Sequence, residues 1–190
     1  GYTDVAVLDG GTPAWEAAGY VLFSGVHVPS KAFGEFVEQH YATPHIGAEA
    51  LNAKLAAGED LVVLDSRPPD EFRNMSIPGG IDAPGAELAY RVHDLAPEAE
   101  TEVVVNCAGR TRSIIGAQTL INAGIANSVV ALENGTMGWH LAGYELEHGQ
   151  SRSYDAVSAA AGPRIEAVIE RVSKRFGVQT IDGAGLAKWR

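Results

Sequence analysis

The chain contains one stretch in which a buried strand, a lone cysteine and a helix follow one another directly: Val103-Val104-Val105-Asn106-Cys107-Ala108-Gly109-Arg110-Thr111-Arg112-Ser113. Three consecutive valines predict a strand that is buried on both faces, as in a parallel sheet. The residues from Ser113 to Ile121 predict a helix, which ends at Gly124. We therefore expect Cys107 at the turn between a strand and a helix of an α/β fold.

A strand-to-helix turn favours negative charge, because its backbone N–H groups and the positive end of the helix dipole face the loop. This favours the thiolate form of a cysteine, which is the nucleophilic form. Arg110 and Arg112 support the same interpretation, since a cation in the first turn of a helix costs about 0.3 to 1 kcal/mol unless an anion lies nearby. The alternative is that Cys107 is a small buried hydrophobic residue at the end of a strand. The glycine and the two arginines beside it favour a nucleophile.

The segment from Cys107 to Ser113 resembles the active-site loop of the rhodanese sulfurtransferases, whose pattern is close to Cys-x-x-Gly-x-Arg-Ser. In this chain Gly109 lies one place early, and Arg110 occupies the usual glycine position. Phosphatases that carry a cysteine on an anion-binding loop place five residues between the cysteine and the arginine. Four residues separate Cys107 from Arg112. The shorter loop resembles one that holds a persulfide or a sulfane sulfur rather than a phosphate ester.

A second motif follows the preceding predicted strand. Asp65, Arg67 and Glu71 resemble the family's Asp-x-Arg and the glutamate after it. Ile77-Pro78-Gly79 resembles its His-Ile-Pro-Gly-Ala, with a serine in place of the histidine. The resemblance implies that Arg67 and Glu71 brace the active-site loop through ion pairs, and it leaves Asp65 either to brace the loop or to line the pocket.

An internal repeat relates residues 5–22 to residues 129–146, with half of the paired positions identical. Each copy contains Gly-x-x-x-Trp followed by Ala-Gly-Tyr and resembles the closing segment of a rhodanese domain. We therefore expect the chain to be a fragment of a tandem array with four parts: a C-terminal remnant of a preceding rhodanese-like repeat at 1–28, a linker helix at 29–42, a complete rhodanese-like domain at 43–149, and a linker helix with the start of a following repeat at 150–190.

The fold that this resemblance implies has three layers, with a central, mostly parallel sheet covered by helices on both faces. Leu51 and Leu55 predict one covering helix, which ends at Gly58. Pro84 is expected to open another helix, and Ser30 is expected to be the N-cap of the linker helix.

Composition limits the partners and the compartment of the chain. A net charge of −10 and a pI near 5.0 argue against nucleic acid or an anionic membrane as the main partner. One cysteine excludes an internal disulfide and a multi-cysteine zinc site, and it fits a reducing compartment such as the cytoplasm. We expect no metal and no organic cofactor.

The function that the resemblance implies is that of a thiosulfate sulfurtransferase. Cys107 would be the catalytic nucleophile and would form a persulfide. The residues that would bind the anion are those of the rest of the loop: Ala108, Gly109, Arg110, Thr111, Arg112 and Ser113. The expected partners are a small anionic sulfur donor, a cyanide or thiol acceptor, and neighbouring rhodanese-like modules, and a homo-oligomer remains open.

Two other functions remain open from the sequence. The first is a non-catalytic binding, persulfide-carrier or redox-sensing module within a larger array. The second is a hydrolase of arsenate or phosphate esters, which the short loop disfavours.

Overall fold

A five-stranded sheet forms the centre of the protein, for which a computed structural model describes residues 6–20 and 29–189. The strands are β1 (His45–Ile46), β2 (Leu61–Asp65), β3 (Ile81–Asp82), β4 (Glu102–Asn106) and β5 (Val129–Leu132). Their order across the sheet is β1-β5-β4-β2-β3, and every neighbouring pair is parallel. β4, which carries the three valines, lies in the middle, as its apolar sequence predicts.

Helices precede, connect and follow the strands. They are α1 (Gly11–Ala17), α2 (Pro29–Tyr41), α3 (Ala48–Ala57), α4 (Pro69–Asn74), α5 (Leu88–Leu95), α6 (Thr111–Ala123), α7 (Gly135–Leu141), α8 (Gly162–Phe176) and α9 (Gly183–Lys188).

Two hydrophobic clusters cover the two faces of the sheet. One joins Val103 and Val105 of β4 to buried residues of α2, α5 and α6. The other joins Val104 to buried residues of α3 and α7, including Leu51 and Trp139. Successive strand residues therefore point to opposite layers. The expected three-layer α/β fold is confirmed.

The predicted ends of two helices are confirmed, whereas two predicted starts are wrong. α3 and α6 end at Gly58 and Gly124, which adopt the left-handed conformation with φ of 67° and 66°. Ser30 lies within α2, since the helix already includes Pro29, a residue that fits a first turn because it needs no N–H partner there. Pro84 lies in a turn before α5, whose first residue is Leu88.

Hydrogen bonds explain why no helix begins at Pro84. The N–H of Ala83 donates to the carbonyl of Asp65 at 2.9 Å, and the N–H of Gly85 donates to that of Ser66 at 3.1 Å. These bonds tie both neighbours of Pro84 to the end of β2. The helix can begin only after the chain has left this edge of the sheet.

The internal repeat adopts the same local structure in the residues that are described. In both copies a short helix begins at the second of two residues with positive φ: Gly10 and Gly11 in the first copy, Asn134 and Gly135 in the second. The ring centroids of Trp15 and Tyr20 lie 4.5 Å apart, and those of Trp139 and Tyr144 lie 4.9 Å apart. Residues 1–5 and 21–28 of the predicted first unit lie outside the described residues.

Two helices predicted as linkers pack on the central module. α2 buries Val37 in the cluster shared with α6. α8 packs on α5 and α6 and buries Ile165 and Val168. Both helices therefore contribute to the layer that covers one face of the sheet.

Candidate active site

Cys107 follows β4 directly and lies at the carboxyl edge of the sheet. Ligands bind at this edge in open α/β sheets. The loop is short, because α6 begins at Thr111. Cys107 is 2% exposed and belongs to neither hydrophobic cluster. The fold thus places the side chain at the end of the core.

The first turn of α7 holds the carbonyl groups of the loop. The carbonyl of Cys107 accepts from the N–H of Thr136 at 2.8 Å and from its hydroxyl at 3.1 Å. The carbonyl of Ala108 accepts from the N–H of Met137 at 3.1 Å. Gly135 permits this approach, because a Cβ there would lie 2.1 Å from the carbonyl oxygen of Cys107. The loop and α7 are therefore in backbone contact.

This arrangement orients the N–H groups of the loop. In a planar trans peptide the N–H points opposite to the C=O, and the described residues contain no cis peptide bond. The N–H groups of Ala108 and Gly109 therefore point away from α7. Within the described residues, the N–H groups from Ala108 to Ser113 donate to no protein acceptor. The loop can offer these donors to an anion.

A buried polar network supports the loop from below. Arg67 donates to both carboxylate oxygens of Asp65 at 2.8 Å. The amide of Asn106 donates to Asp65 at 2.7 Å and to the hydroxyl of Thr136 at 3.1 Å. That hydroxyl donates to the carbonyl of Cys107. The ion pair is thus connected to the cysteine backbone through two side chains.

Asp82 lies beside this network, and its pKa differs from that of an ordinary aspartate. Its carboxyl group faces Asp65 from the neighbouring strand, and its Oδ1 is buried without a hydrogen-bond partner. Burial, together with the negative charge of Asp65, raises the pKa of Asp82 to about 6. The ionised form of Asp82 is therefore disfavoured in the folded protein.

Each arginine of the loop region is paired with a glutamate. Arg112 donates two bonds of 2.8 Å to Glu71. These hydrogen bonds raise the pKa of Arg112 against the opposing effect of burial, and the negative charge of Glu71 raises it further. The same bonds lower the pKa of Glu71. Arg110 forms an ion pair with Glu38 of α2.

A cavity of about 280 Å³ opens beside Arg110. It is lined by Glu38, His45, Arg110, Ile114, Ala131, Leu132, Glu133 and Asn134. Nε2 of His45 lies 3.0 Å from a carboxylate oxygen of Glu133 in the same cavity. The cavity therefore contains several charged groups and lies next to the cysteine loop.

Residues 6–20 and 29–189 contain no group of three or more His, Cys, Asp or Glu side chains that could hold a metal ion. No helix in those ranges is long and apolar enough to span a bilayer.

Comparison with known proteins identifies the family. The model of the rhodanese-like domain matches residues 47–142, which is half of the chain. The chain belongs to the rhodanese-like family. A crystal structure of a thiosulfate sulfurtransferase from Pseudomonas aeruginosa superposes with a TM-score of 0.83 and is 56% identical in sequence, over 100% of this chain and 36% of that one.

Two curated relatives of this rhodanese-like chain have different names. One is an HTH-type transcriptional regulator of Mycobacterium tuberculosis, 32% identical over 54% of this chain and 43% of its own length. The other, from Bacillus subtilis, is named "Putative sulfur carrier protein YrkF" and is 28% identical over 65% of this chain and 64% of its own length. The chain spans less than two thirds of the length of each of these three proteins.

The site residues predicted from the rhodanese resemblance lie around one loop. Glu71 contacts Arg112, which follows Cys107 in the loop region. Asp65 is buried and bonded to Arg67 and Asn106, so its carboxylate faces the supporting network.

Four contacting residues were not among the predicted site residues: Glu38, Asn106, Gly135 and Thr136. The signal for two of them was present in the repeat, where Gly135 and Thr136 match Gly11 and Thr12. Glu38 carries no motif, and it reaches Arg110 only because α2 folds back onto α6.

Proposed function

We propose that this chain is a sulfurtransferase in which Cys107 carries a sulfur atom from a small anionic donor to an acceptor. The observation that carries the proposal is the loop: the single cysteine follows a central strand, and the neighbouring N–H groups have no acceptor among the described residues. The similarity to a thiosulfate sulfurtransferase supports thiosulfate as the donor.

The reaction has two displacement steps at sulfur. The Cys107 thiolate attacks the outer sulfur of thiosulfate, a new S–S bond forms, and the S–S bond of the donor breaks as sulfite leaves with the electron pair. Cyanide or a thiolate then attacks the outer sulfur of the Cys107 persulfide, and the Cys107 thiolate is released. No oxidant or reductant is consumed beyond the donor and the acceptor.

The surrounding residues have distinct roles in this proposal. The N–H groups from Ala108 to Ser113 stabilise the negative charge of the persulfide, as preorganised donors do at other developing anions. Arg110 and Arg112 orient the anionic donor, and each charge-assisted hydrogen bond contributes about 1.5 to 3 kcal/mol.

Intact mass measurement tests the proposal. The protein is incubated with thiosulfate, freed of excess reagent and weighed. We expect a gain of one sulfur atom, which is lost on addition of cyanide and is absent in Cys107→Ser. An unchanged mass of the unsubstituted protein, or sulfur transfer by Cys107→Ser, would contradict the mechanism.

A second candidate function is a persulfide carrier that accepts sulfur from a protein donor. The pairing of both arginines with carboxylates favours it, since these ion pairs leave less positive charge to attract a free anion. The name of the Bacillus subtilis relative fits this function. A carrier would gain sulfur from a persulfide donor and would show little turnover with thiosulfate.

The modular organisation is also a proposal. We infer that residues 1–28 close a preceding rhodanese-like unit, that 43–149 form a complete domain, and that 150–190 lead into another unit. The shared geometry of the repeated turn supports the first of these assignments. Expression of residues 29–178 alone tests whether the central domain, together with α2 and α8, folds without the flanking units, and we expect a cooperative unfolding transition and a reactive Cys107.

A further inference from the structure

Helix α2 lies against the start of α6, where the cysteine loop ends. Gly34 makes the close contact: an added Cβ there would lie 2.8 Å from Cγ2 of Thr111 and 3.3 Å from its Cα. Val37, on the next turn, is buried in the core. α2 is therefore fixed on the protein at the point where it passes the loop.

Glu38 lies four residues after Gly34, so both face the same side of α2. Its carboxylate pairs with the guanidinium of Arg110. The Glu38 side chain is 19% exposed, whereas that of Arg110 is 54% exposed. The glutamate is thus the more firmly held partner, and the arginine is the partner that can move into solvent or toward a ligand.

We propose that Glu38 determines how strongly the loop prefers anionic sulfur donors, by competing with them for Arg110. This inference rests on the proposed sulfur transfer at Cys107. An anionic donor must displace the Glu38 carboxylate before it can use Arg110, whereas a neutral donor does not need that guanidinium. Glu38 therefore lowers the preference for anions without contacting the reacting sulfur.

The cavity beside the loop offers space in which a released Arg110 could bind an anion. Arg110 and Glu38 both line it, and its volume of about 280 Å³ is large enough for a small anion. When the carboxylate no longer holds Nη2 of the guanidinium, the side chain can turn its N–H donors toward a ligand at the mouth of the loop. The effect of Glu38 should therefore depend on Arg110 and not on charge alone.

Alkylation of the single cysteine tests this proposal without requiring sulfur transfer. The rates with anionic iodoacetate and neutral iodoacetamide are measured by intact mass, and their ratio reports the preference for anions. We expect Glu38→Gln to raise the iodoacetate to iodoacetamide ratio about three- to tenfold, the range expected for one partly exposed charge. Far-ultraviolet circular dichroism checks that the variant is folded.

Two matched variants separate the role of Arg110 from a general change in charge. Glu133→Gln removes the same charge from the same cavity, but its partner is His45, so the ratio should change less than twofold by the same reasoning. Arg110→Gln combined with Glu38→Gln should return the ratio to within about twofold of the unsubstituted protein. An unchanged ratio in Glu38→Gln, or an equal rise in Glu133→Gln, would overturn the proposal.

Thiosulfate kinetics distinguish the two proposals. If Cys107 transfers sulfur, Glu38→Gln should lower KM for thiosulfate about three- to tenfold and leave kcat little changed. If the protein forms a persulfide, but the unsubstituted protein and Glu38→Gln have the same alkylation ratio, only the role of Glu38 is contradicted. If Glu38→Gln changes the alkylation ratio, but neither it nor the unsubstituted protein forms a persulfide, only the proposed function is contradicted.

Discussion

Substitution of Gly135 by alanine should disturb the cysteine loop more than any other single methyl group added to α7. Gly135 has a φ of +52°, and its added Cβ would lie 2.1 Å from the carbonyl oxygen of Cys107 and 2.8 Å from that of Gly109. Real Cβ atoms essentially never approach closer than 3.0 Å. The loop must therefore move by about 1 Å, and the bonds from Thr136 to Cys107 must lengthen or break.

The cost has two parts. A non-glycine residue in the left-handed region costs about 1 to 2 kcal/mol, and overpacking costs about 1 to 3 kcal/mol. Gly135→Ala should thus lower the free energy of unfolding by about 2 to 5 kcal/mol, which corresponds to a fall in Tm of about 4 to 20 °C for a chain of 190 residues. Gly143 provides the control, because its φ is +86° but no atom lies within 4 Å of an added Cβ.

Thermal unfolding and alkylation measure the two consequences. In Gly143→Ala the free energy of unfolding should fall only by the cost of the left-handed backbone, about 1 to 2 kcal/mol, and the alkylation rate of Cys107 should be unchanged. Gly135→Ala should lose more stability and should alter that rate well below its Tm, because the loop has moved. If both variants lose equal stability and alkylate at equal rates, the close contact does not constrain the loop and the reasoning fails.

Three other substitutions test the charged groups around the site. Arg67→Met leaves Asp65 buried without its partner and should cost about 3 to 5 kcal/mol in the free energy of unfolding by urea. Glu71→Gln breaks a half-exposed pair with Arg112 and should cost less than about 1 kcal/mol in the same assay. Asp82→Asn should reduce the loss of Tm between about pH 4 and pH 7, since the folded pKa of Asp82, about 6, exceeds the unfolded value.

The sign of the pH effect follows from proton binding. The folded protein binds the Asp82 proton more tightly than the unfolded chain, so this stabilisation is full below about pH 4 and is lost as the pH rises through 6. A shift of about two units corresponds to about 3 kcal/mol at most. Equal pH profiles for Asp82→Asn and the unsubstituted protein would contradict the assignment. For the ion pairs, a smaller loss in Arg67→Met than in Glu71→Gln would contradict the role of burial.

The sequence predicts most of the fold because the signals are local. Three valines define the central strand, and Gly58 and Gly124 end helices by the conformation that only glycine adopts cheaply. Pro84 misled the prediction because its neighbours bond to β2, a contact that no local pattern reveals.

The site is only partly predictable for a similar physical reason. The cysteine, its glycine and its arginines lie within a few residues of one another and form a recognisable motif. Glu38 and Thr136 reach the loop across 72 and 29 positions of the sequence. Their contacts depend on how α2 and α7 pack, which the motif does not encode.

The neutralisation of both loop arginines by glutamates affects how the protein responds to ionic strength. The dipoles of the backbone N–H groups are fixed by the peptide planes and do not titrate. Dissolved salt screens exposed side-chain charges much more than it screens such close contacts. The part of anion binding that the backbone N–H groups supply should therefore weaken less in concentrated salt than the part that Arg110 and Arg112 supply.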